Sequence, residues 1–245
     1  YLMKFIFFYS YNYKFMVRHI IIKLTQKPMK GITIMPSIYY TYYPTDSLSI
    51  SDTAQREHLL GRALLARGLS ELYHISISCA DLDRALTYDR NRKPYFTQYP
   101  HIHFNITHCS GLVACAFHKD SIGIDAEFPS YFPEILISKA LSEQEKCFLQ
   151  SKGDKTTEKQ EWFYRLWTLK EAYVKKSGIG VDTNLKDFSF SFVEDKKTIT
   201  ATCSDSSVTC YQTKLSLGHI LSACYENTAD STALVFCSLL PEQQK

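Results

Sequence analysis

Apolar and polar positions change period several times along this chain. Over residues 52–68 the apolar side chains recur every three or four positions, the spacing of one helix face. Ser51 or Asp52 is available to cap its start and Gly68 to stop it. Residues 101–118 alternate in steps of two across Ser110-Gly111, which predicts a hairpin. The run Ser121-Ile-Gly-Ile-Asp-Ala-Glu127 keeps that period and predicts a strand. Helical spacing returns over 135–149 and 156–177, separated by the polar linker Ser151-Lys-Gly-Asp-Lys155. Beyond Gly178 the segments are β-rich, ending with 217–225 and 233–239. Upstream, Met16-Val-Arg-His-Ile-Ile-Ile-Lys23 reads as an opening strand and residues 38–43 as an aromatic loop. Strands and helices mixed in this order predict an α+β (α/β) chain.

Composition narrows the class. The chain has 245 residues, 45% of them hydrophobic, enough for a packed core. A net charge of +3 is too small to argue for nucleic acid, although an acidic partner would not be repelled. The eight cysteines (79, 109, 115, 147, 203, 210, 224 and 237) include no Cys-x-x-Cys pair, which argues against zinc and for reduced, cytoplasmic thiols. The aromatic run 5–13 is much shorter than the roughly twenty apolar residues of a membrane helix, and no secretory cleavage pattern follows it. Tyr1 is not a start residue, so residues 1–15 are expected to be an upstream extension or a disordered tail.

The candidate chemistry sits in two segments. On a strand, Asp125 and Glu127 project to one face. In Trp167-Thr-Leu-Lys-Glu-Ala-Tyr-Val-Lys175, helical spacing aligns Trp167, Lys170, Glu171, Val174 and Lys175 on one stripe. Three oxygen donors, Asp125, Glu127 and Glu171, suit Mg²⁺, and the flanking lysines Lys170 and Lys175 supply the positive charge that phosphate needs. Either half alone is unspecific: an Asp-x-Glu pair usually ends a solvated strand, and Glu171 with Lys175 is an ordinary exposed helix pair.

Together, in this order, they resemble the 4′-phosphopantetheinyl transferases of the larger monomeric type, whose Gly-Ile-Asp-x-Glu and Trp-x-x-Lys-Glu-Ala-x-x-Lys motifs stand complete at 123–127 and 167–175. Arg92-Lys-Pro94 is similar to the family's Gly-Lys-Pro element, and Phe104-Asn-Ile-Thr-His-Cys-Ser-Gly111 to its Phe-Asn-Ile-Ser-His-Ser-x-Gly element. Arg56-Glu-His-Leu-Leu-Gly-Arg-Ala-Leu-Leu65 resembles its first core helix, most closely as it reads in the enteric branch that activates acyl carrier protein.

The resemblance implies two similar α/β halves related by a pseudo-twofold axis, residues 16–120 and 121–240, with the metal site in the second, in a chain sufficient as a monomer. It implies transfer of 4′-phosphopantetheine from coenzyme A to a serine of an apo acyl carrier protein or carrier domain, with Mg²⁺ and no nucleic acid or membrane. By position, Asp125, Glu127 and Glu171 would hold the metal; Glu171 would be the base, with Glu145 a second acidic candidate; Lys175 would meet the pyrophosphate. Lys93 and His108 occupy the positions for the 3′-phosphate of coenzyme A, Thr107 keeps a hydroxyl donor, and Arg56 and Arg62 are possible helpers. Residues 38–43 and Tyr131-Phe132-Pro133 are candidates for the carrier-protein surface, and Trp167 is expected to pack. Two rivals remain. A non-catalytic module that binds coenzyme A or the carrier predicts the loss of a motif carboxylate or of Lys175. An ATP-dependent phosphotransferase predicts a phosphate-cradling loop, and Ser177-Gly-Ile-Gly180 is too short to be one.

Overall fold

The computed structural model describes residues 36–45, 49–153, 156–180, 183–194, 199–227 and 235–239. The opening strand expected at 16–23 and the tail at 1–15 lie outside these.

Residues 112–118 of the hairpin are buried on both faces, and this drives the layering. That strand, β5 (Leu112–His118), pairs antiparallel with β4 (His103–Cys109) on one side and with β1 (Ser37–Tyr42) on the other. β11 (Val235–Leu239) adds to β1 in parallel, so the chain's last described strand completes its first sheet, in the order β11-β1-β5-β4. Alternate residues of β5 feed two cores: Val113, Cys115 and Phe117 face the helix α1 (Ile50–Tyr73), whereas Leu112, Ala114 and Ala116 face a second sheet. That sheet joins β6 (Ile122–Glu127), β10 (Ile220–Glu226) and β9 (Val208–Lys214) in the order β6-β10-β9. Ile122, Ile124 and Ala126 point inward to meet β5, while the long helix α5 (Thr156–Ser177) covers the opposite face. The chain is thus a mixed α+β protein of four layers, helix, sheet, sheet, helix.

The remaining elements are α2 (Cys79–Ala85), the ribbon of β2 (Leu86–Tyr88) with β3 (Pro94–Phe96), α3 (Ile135–Ala140), α4 (Glu143–Ser151), and the ribbon of β7 (Phe190–Glu194) with β8 (Ile199–Cys203).

Four local expectations change. The first helix starts two residues earlier, at Ile50, because Ser49 rather than Ser51 or Asp52 caps it, accepting from the Asp52 amide. Gly68 does not stop it: a Cβ there would stand 2.1 Å from the Phe117 ring, so this glycine lets helix and sheet approach, and the helix runs on to Tyr73. The helix expected over 135–149 is two, interrupted where Ser142 forms a capping box with Glu145. The aromatic run 38–43 is no loop. Ile38, Tyr39, Tyr42 and Tyr43 are all buried, which removes the run as a carrier-protein surface.

Candidate active site

Gly123 explains why the two motif segments meet. A Cβ on it would lie 2.0 Å from the Ala172 carbonyl oxygen and 2.3 Å from the Lys176 amide, both backbone atoms of α5. The bare glycine therefore lets the helix lie directly on β6, and the next outward residues of that strand, Asp125 and Glu127, come beside Glu171 and Lys175. Substituting alanine has no flexible neighbour to displace. Gly123→Ala is expected to push α5 away from β6, lowering the thermal midpoint and any activity of the site by about 100-fold, the order lost to a misplacement near 1 Å. Thermal melts paired with activity measurements check this, and an unchanged variant would refute the close-approach argument.

Asp125 is buried, and its Oδ1 accepts from Lys175 Nζ at 2.5 Å and from Thr107 Oγ1 at 3.2 Å. Lys175 Nζ also reaches Thr107 Oγ1 at 3.3 Å, closing a triangle among β4, β6 and α5. The other oxygen, Oδ2, is buried with no partner. Glu127 and Glu171 have no hydrogen-bond or ion-pair partner among the described residues. All three carboxyls resist ionisation. Burial, only partly offset by Lys175, raises Asp125; burial and the neighbouring Asp125 push Glu127 up to about 7 and raise Glu171. Their electrostatic coupling marks them as one cluster.

That cluster fits a hard divalent cation. It offers oxygen donors only, with one of them orphaned in the interior, and it concentrates negative charge that a cation would relieve. The arrangement is not a finished cage: among the described residues no three His, Cys, Asp or Glu side chains already converge as metal ligands. In their absence Lys175 supplies the counter-charge at Asp125.

Other expected residues have other tasks. Lys170 is wholly buried and donates to the Leu185 and Phe188 carbonyls at 2.6 and 2.8 Å and to Glu145 Oε2 at 2.9 Å. Glu145 in turn accepts the Ser142 and Phe190 amides at 2.8 and 2.9 Å. Neither can meet substrate, so the ligand role of Lys170 and the catalytic role of Glu145 are corrected to a structural pair. Lys93 also has partners within the fold. Its Nζ is engaged by the Lys175, Lys176 and Ile122 carbonyls at 2.6, 3.2 and 3.4 Å, fastening the end of α5, and burial brings its pKa down to about 8. Arg62 is buried and straps α1 to α2 and β2 through Asp83 at 2.7 Å and Tyr88 at 3.0 Å, a structural task in the fold. Arg56 is half-buried on α1, without an ion-pair partner among the described residues.

Thr107 and His108 are neighbours on β4, so they point to opposite faces: Thr107 into the carboxylate cluster, His108 outward toward α1, where Glu57 Oε2 lies 3.0 Å from its Nδ1. Trp167 packs as expected, stacked on Phe163. Of the carrier-surface candidates at 131–133, Tyr131 is exposed and Phe132 buried against Phe163.

Sequence reasoning missed three residues around this site. Asn105 Oδ1 accepts the Ile124 amide at 2.9 Å and so locks β4 beside β6. Its signal was present, a polar residue between Phe104 and Ile106 in an otherwise apolar strand. Glu57 and Tyr43 join each other behind His108. Glu57 lies one helical turn before Gly61, whose absent Cβ faces Ile106 of β4, a spacing that sets both residues on the face toward that strand.

Comparison with known proteins now bears on this geometry. Residues 121–229 match the model of the 4′-phosphopantetheinyl transferase superfamily, a stretch that holds both motif segments. The chain is 32% identical over 153 residues to 4′-phosphopantetheinyl transferase Sfp of Bacillus subtilis (strain 168), a match covering 62% of this chain and 65% of that one. It is also 32% identical over 137 residues to 4′-phosphopantetheinyl transferase ffp of Bacillus subtilis, covering 56% and 58%. These matches therefore span less than two thirds of either relative's length. Among solved structures, the crystal structure of Thermotoga maritima holo-[acyl-carrier-protein] synthase aligns at a TM-score of 0.34 and 18% identity, over 44% of this chain and 64% of that one.

Proposed function

We propose, from the match of residues 121–229 to the 4′-phosphopantetheinyl transferase superfamily, that this protein moves 4′-phosphopantetheine from coenzyme A to a serine of an apo carrier protein. The observation that carries the reading is the meeting of Asp125 and Glu127 with Glu171 and Lys175, one carboxylate oxygen left unpartnered inside. In the step proposed, the serine oxygen bonds to the β-phosphorus of the pyrophosphate, and the bond from that phosphorus to the bridging oxygen breaks, releasing adenosine 3′,5′-bisphosphate. Such displacements depend mainly on positioning and charge neutralisation.

Each residue of the cluster has a proposed part. Glu171 takes the proton of the serine hydroxyl; its raised pKa, caused by burial and by Asp125, moves it toward the range where a carboxylate is an effective base. Lys175 carries its ammonium to the pyrophosphate and can return a proton to the leaving group, with Thr107 holding it in place at 3.3 Å. Asp125, Glu127 and Glu171 would hold Mg²⁺, which when bound draws off negative charge from phosphate oxygens. Tyr131, exposed next to the cluster's strand, belongs to the proposed carrier surface. The division into two halves at residue 120, action as a monomer, an acyl carrier protein of fatty-acid synthesis as acceptor and a cytoplasmic setting are parts of the same proposal. Among the described residues no helix is long and apolar enough to cross a membrane.

Intact-protein mass spectrometry of an apo acyl carrier protein, incubated with this protein, coenzyme A and Mg²⁺, tests it. The expected result is a mass gain of one phosphopantetheine, abolished by EDTA and restored by excess Mg²⁺. No gain on fatty-acid or peptide-synthase carriers, with coenzyme A still bound, would favour the binding module instead.

A further inference from the structure

His108 is the most exposed polar group on the α1 side of β4, with 58% of its side chain in solvent, yet its ring is not free to turn. Nδ1 lies 3.0 Å from Glu57 Oε2, and the Glu57 side chain is only 12% exposed. The other carboxylate oxygen, Oε1, accepts the Tyr43 hydroxyl, and Tyr43 is itself buried, with its amide on the Gly111 carbonyl at 3.0 Å. Burial and the adjacent Glu57 push the Tyr43 phenol up to about 12, so it remains a donor. The carboxylate, carried on α1, thus has a donor on each oxygen, Tyr43 just past β1 and His108 on β4. An imidazole held at Nδ1 has one remaining polar atom, Nε2, and here that atom has no hydrogen-bond partner among the described residues.

We propose that Glu57, braced by Tyr43, is a positioning residue that aims His108 Nε2 at the 3′-phosphate of the adenosine in the donor substrate. This rests on the coenzyme A reading above. A phosphate monoester offers acceptors only, so the ring must donate through Nε2; with Nδ1 also donating to Glu57 the ring is doubly protonated, and the carboxylate balances its charge from behind. The charged ring stands between the carboxylate and the phosphate and offsets their repulsion, and both carboxylate oxygens already have donors within the fold. Freed from Glu57, the exposed imidazole would sample several rotamers, and ordering one of them would be charged against every binding event.

Isothermal titration of wild type, Glu57→Ala and Glu57→Gln with adenosine 3′,5′-bisphosphate and with adenosine 5′-monophosphate tests the proposal. Wild type is expected to prefer the bisphosphate. Glu57→Ala should lose on the order of ten-fold in affinity for it, as outer partners of ligating histidines do, with no change for the monophosphate. Glu57→Gln keeps an acceptor for Nδ1–H and should retain most of the preference, and the ¹⁵N signals of His108 should show a fixed Nδ1–H in wild type and glutamine variant but not in the alanine variant. Tyr43→Phe, which preserves the ring, should reduce the preference a few-fold, so the proposal stays testable if alanine at 57 does not fold. A wild type that prefers the bisphosphate beside variants that prefer it equally overturns the role of Glu57 alone, as does an equal loss on both ligands. A wild type without preference overturns the 3′-phosphate reading and the proposal with it.

Discussion

Asp125→Asn should lower the rate of the proposed phosphopantetheine transfer by about 100-fold or more, the order lost when one preorganised electrostatic group is removed from a transition state, while the thermal midpoint stays level or rises. The two halves of this expectation have one cause. Asp125 is buried, its Oδ2 has no partner, and burial outweighs the help of Lys175 in setting its ionisation. A carboxyl whose folded pKa lies above its unfolded value binds its proton more tightly in the fold, so the ionised form that prevails at higher pH costs stability. Asparagine has the same shape without the charge, and Lys175, with 31% of its side chain exposed, can turn to water once its partner is neutral. Activity assays beside thermal melts decide the matter. Activity near wild type, or a loss of activity in step with a loss of stability, would overturn the functional assignment.

The same burial, joined at Glu127 by repulsion from Asp125, gives the apo protein a pH dependence of definite sign. With chelator present, the unfolded chain ionises Glu127 at its ordinary value near 4.5 and the folded chain only at about 7. Between those values the folded state holds more protons, so the unfolding free energy falls as pH rises across that window. Glu127→Gln removes its share of the slope. Functional sites often keep such a destabilising charge set because the fold elsewhere tolerates it.

How much of this was legible before the structure depended on the range of the interaction. Two-residue strand spacing put Asp125 and Glu127 on one face, and helical spacing aligned Glu171 with Lys175; both are local rules, and both segments took the expected form. That the two faces would touch is a tertiary fact, yet Gly123 carried its trace, since a glycine amid β-branched neighbours marks a close backbone approach. Period alone failed where burial decides. The tyrosines at 39, 42 and 43 read as a loop because they are aromatic and polar at the tip, but they fill two cores from alternate faces of a central strand. Charge misled most. Lys93, Arg62, Lys170 and Glu145 sit within or near motif segments, and a sequence cannot distinguish a charge offered to a substrate from one engaged by backbone carbonyls or neighbouring side chains.

Lys170 makes that distinction measurable. Its ammonium, drawn down in pKa by burial and held by Glu145, joins α5 to the carbonyls of Leu185 and Phe188, and it lies 4.8 Å from the centre of the Phe188 ring. Lys170→Met would leave Glu145 charged in the interior and two carbonyls unpaired. Breaking a buried pair from one side costs about 3–5 kcal/mol, so urea denaturation should show a loss of that order. Glu145→Gln retains the acceptor that receives the Phe190 amide and should cost less. The double variant Lys170→Met/Glu145→Gln should recover part of the single loss, because no uncompensated charge remains in it. Measured at a temperature where the double variant is folded, transfer should persist within about ten-fold of wild type, less than the cost of removing a group that acts on the transition state itself. A folded double variant with transfer reduced as far as in Asp125→Asn would return Lys170 to the reaction; a stable Lys170→Met single variant would dissolve the structural pair.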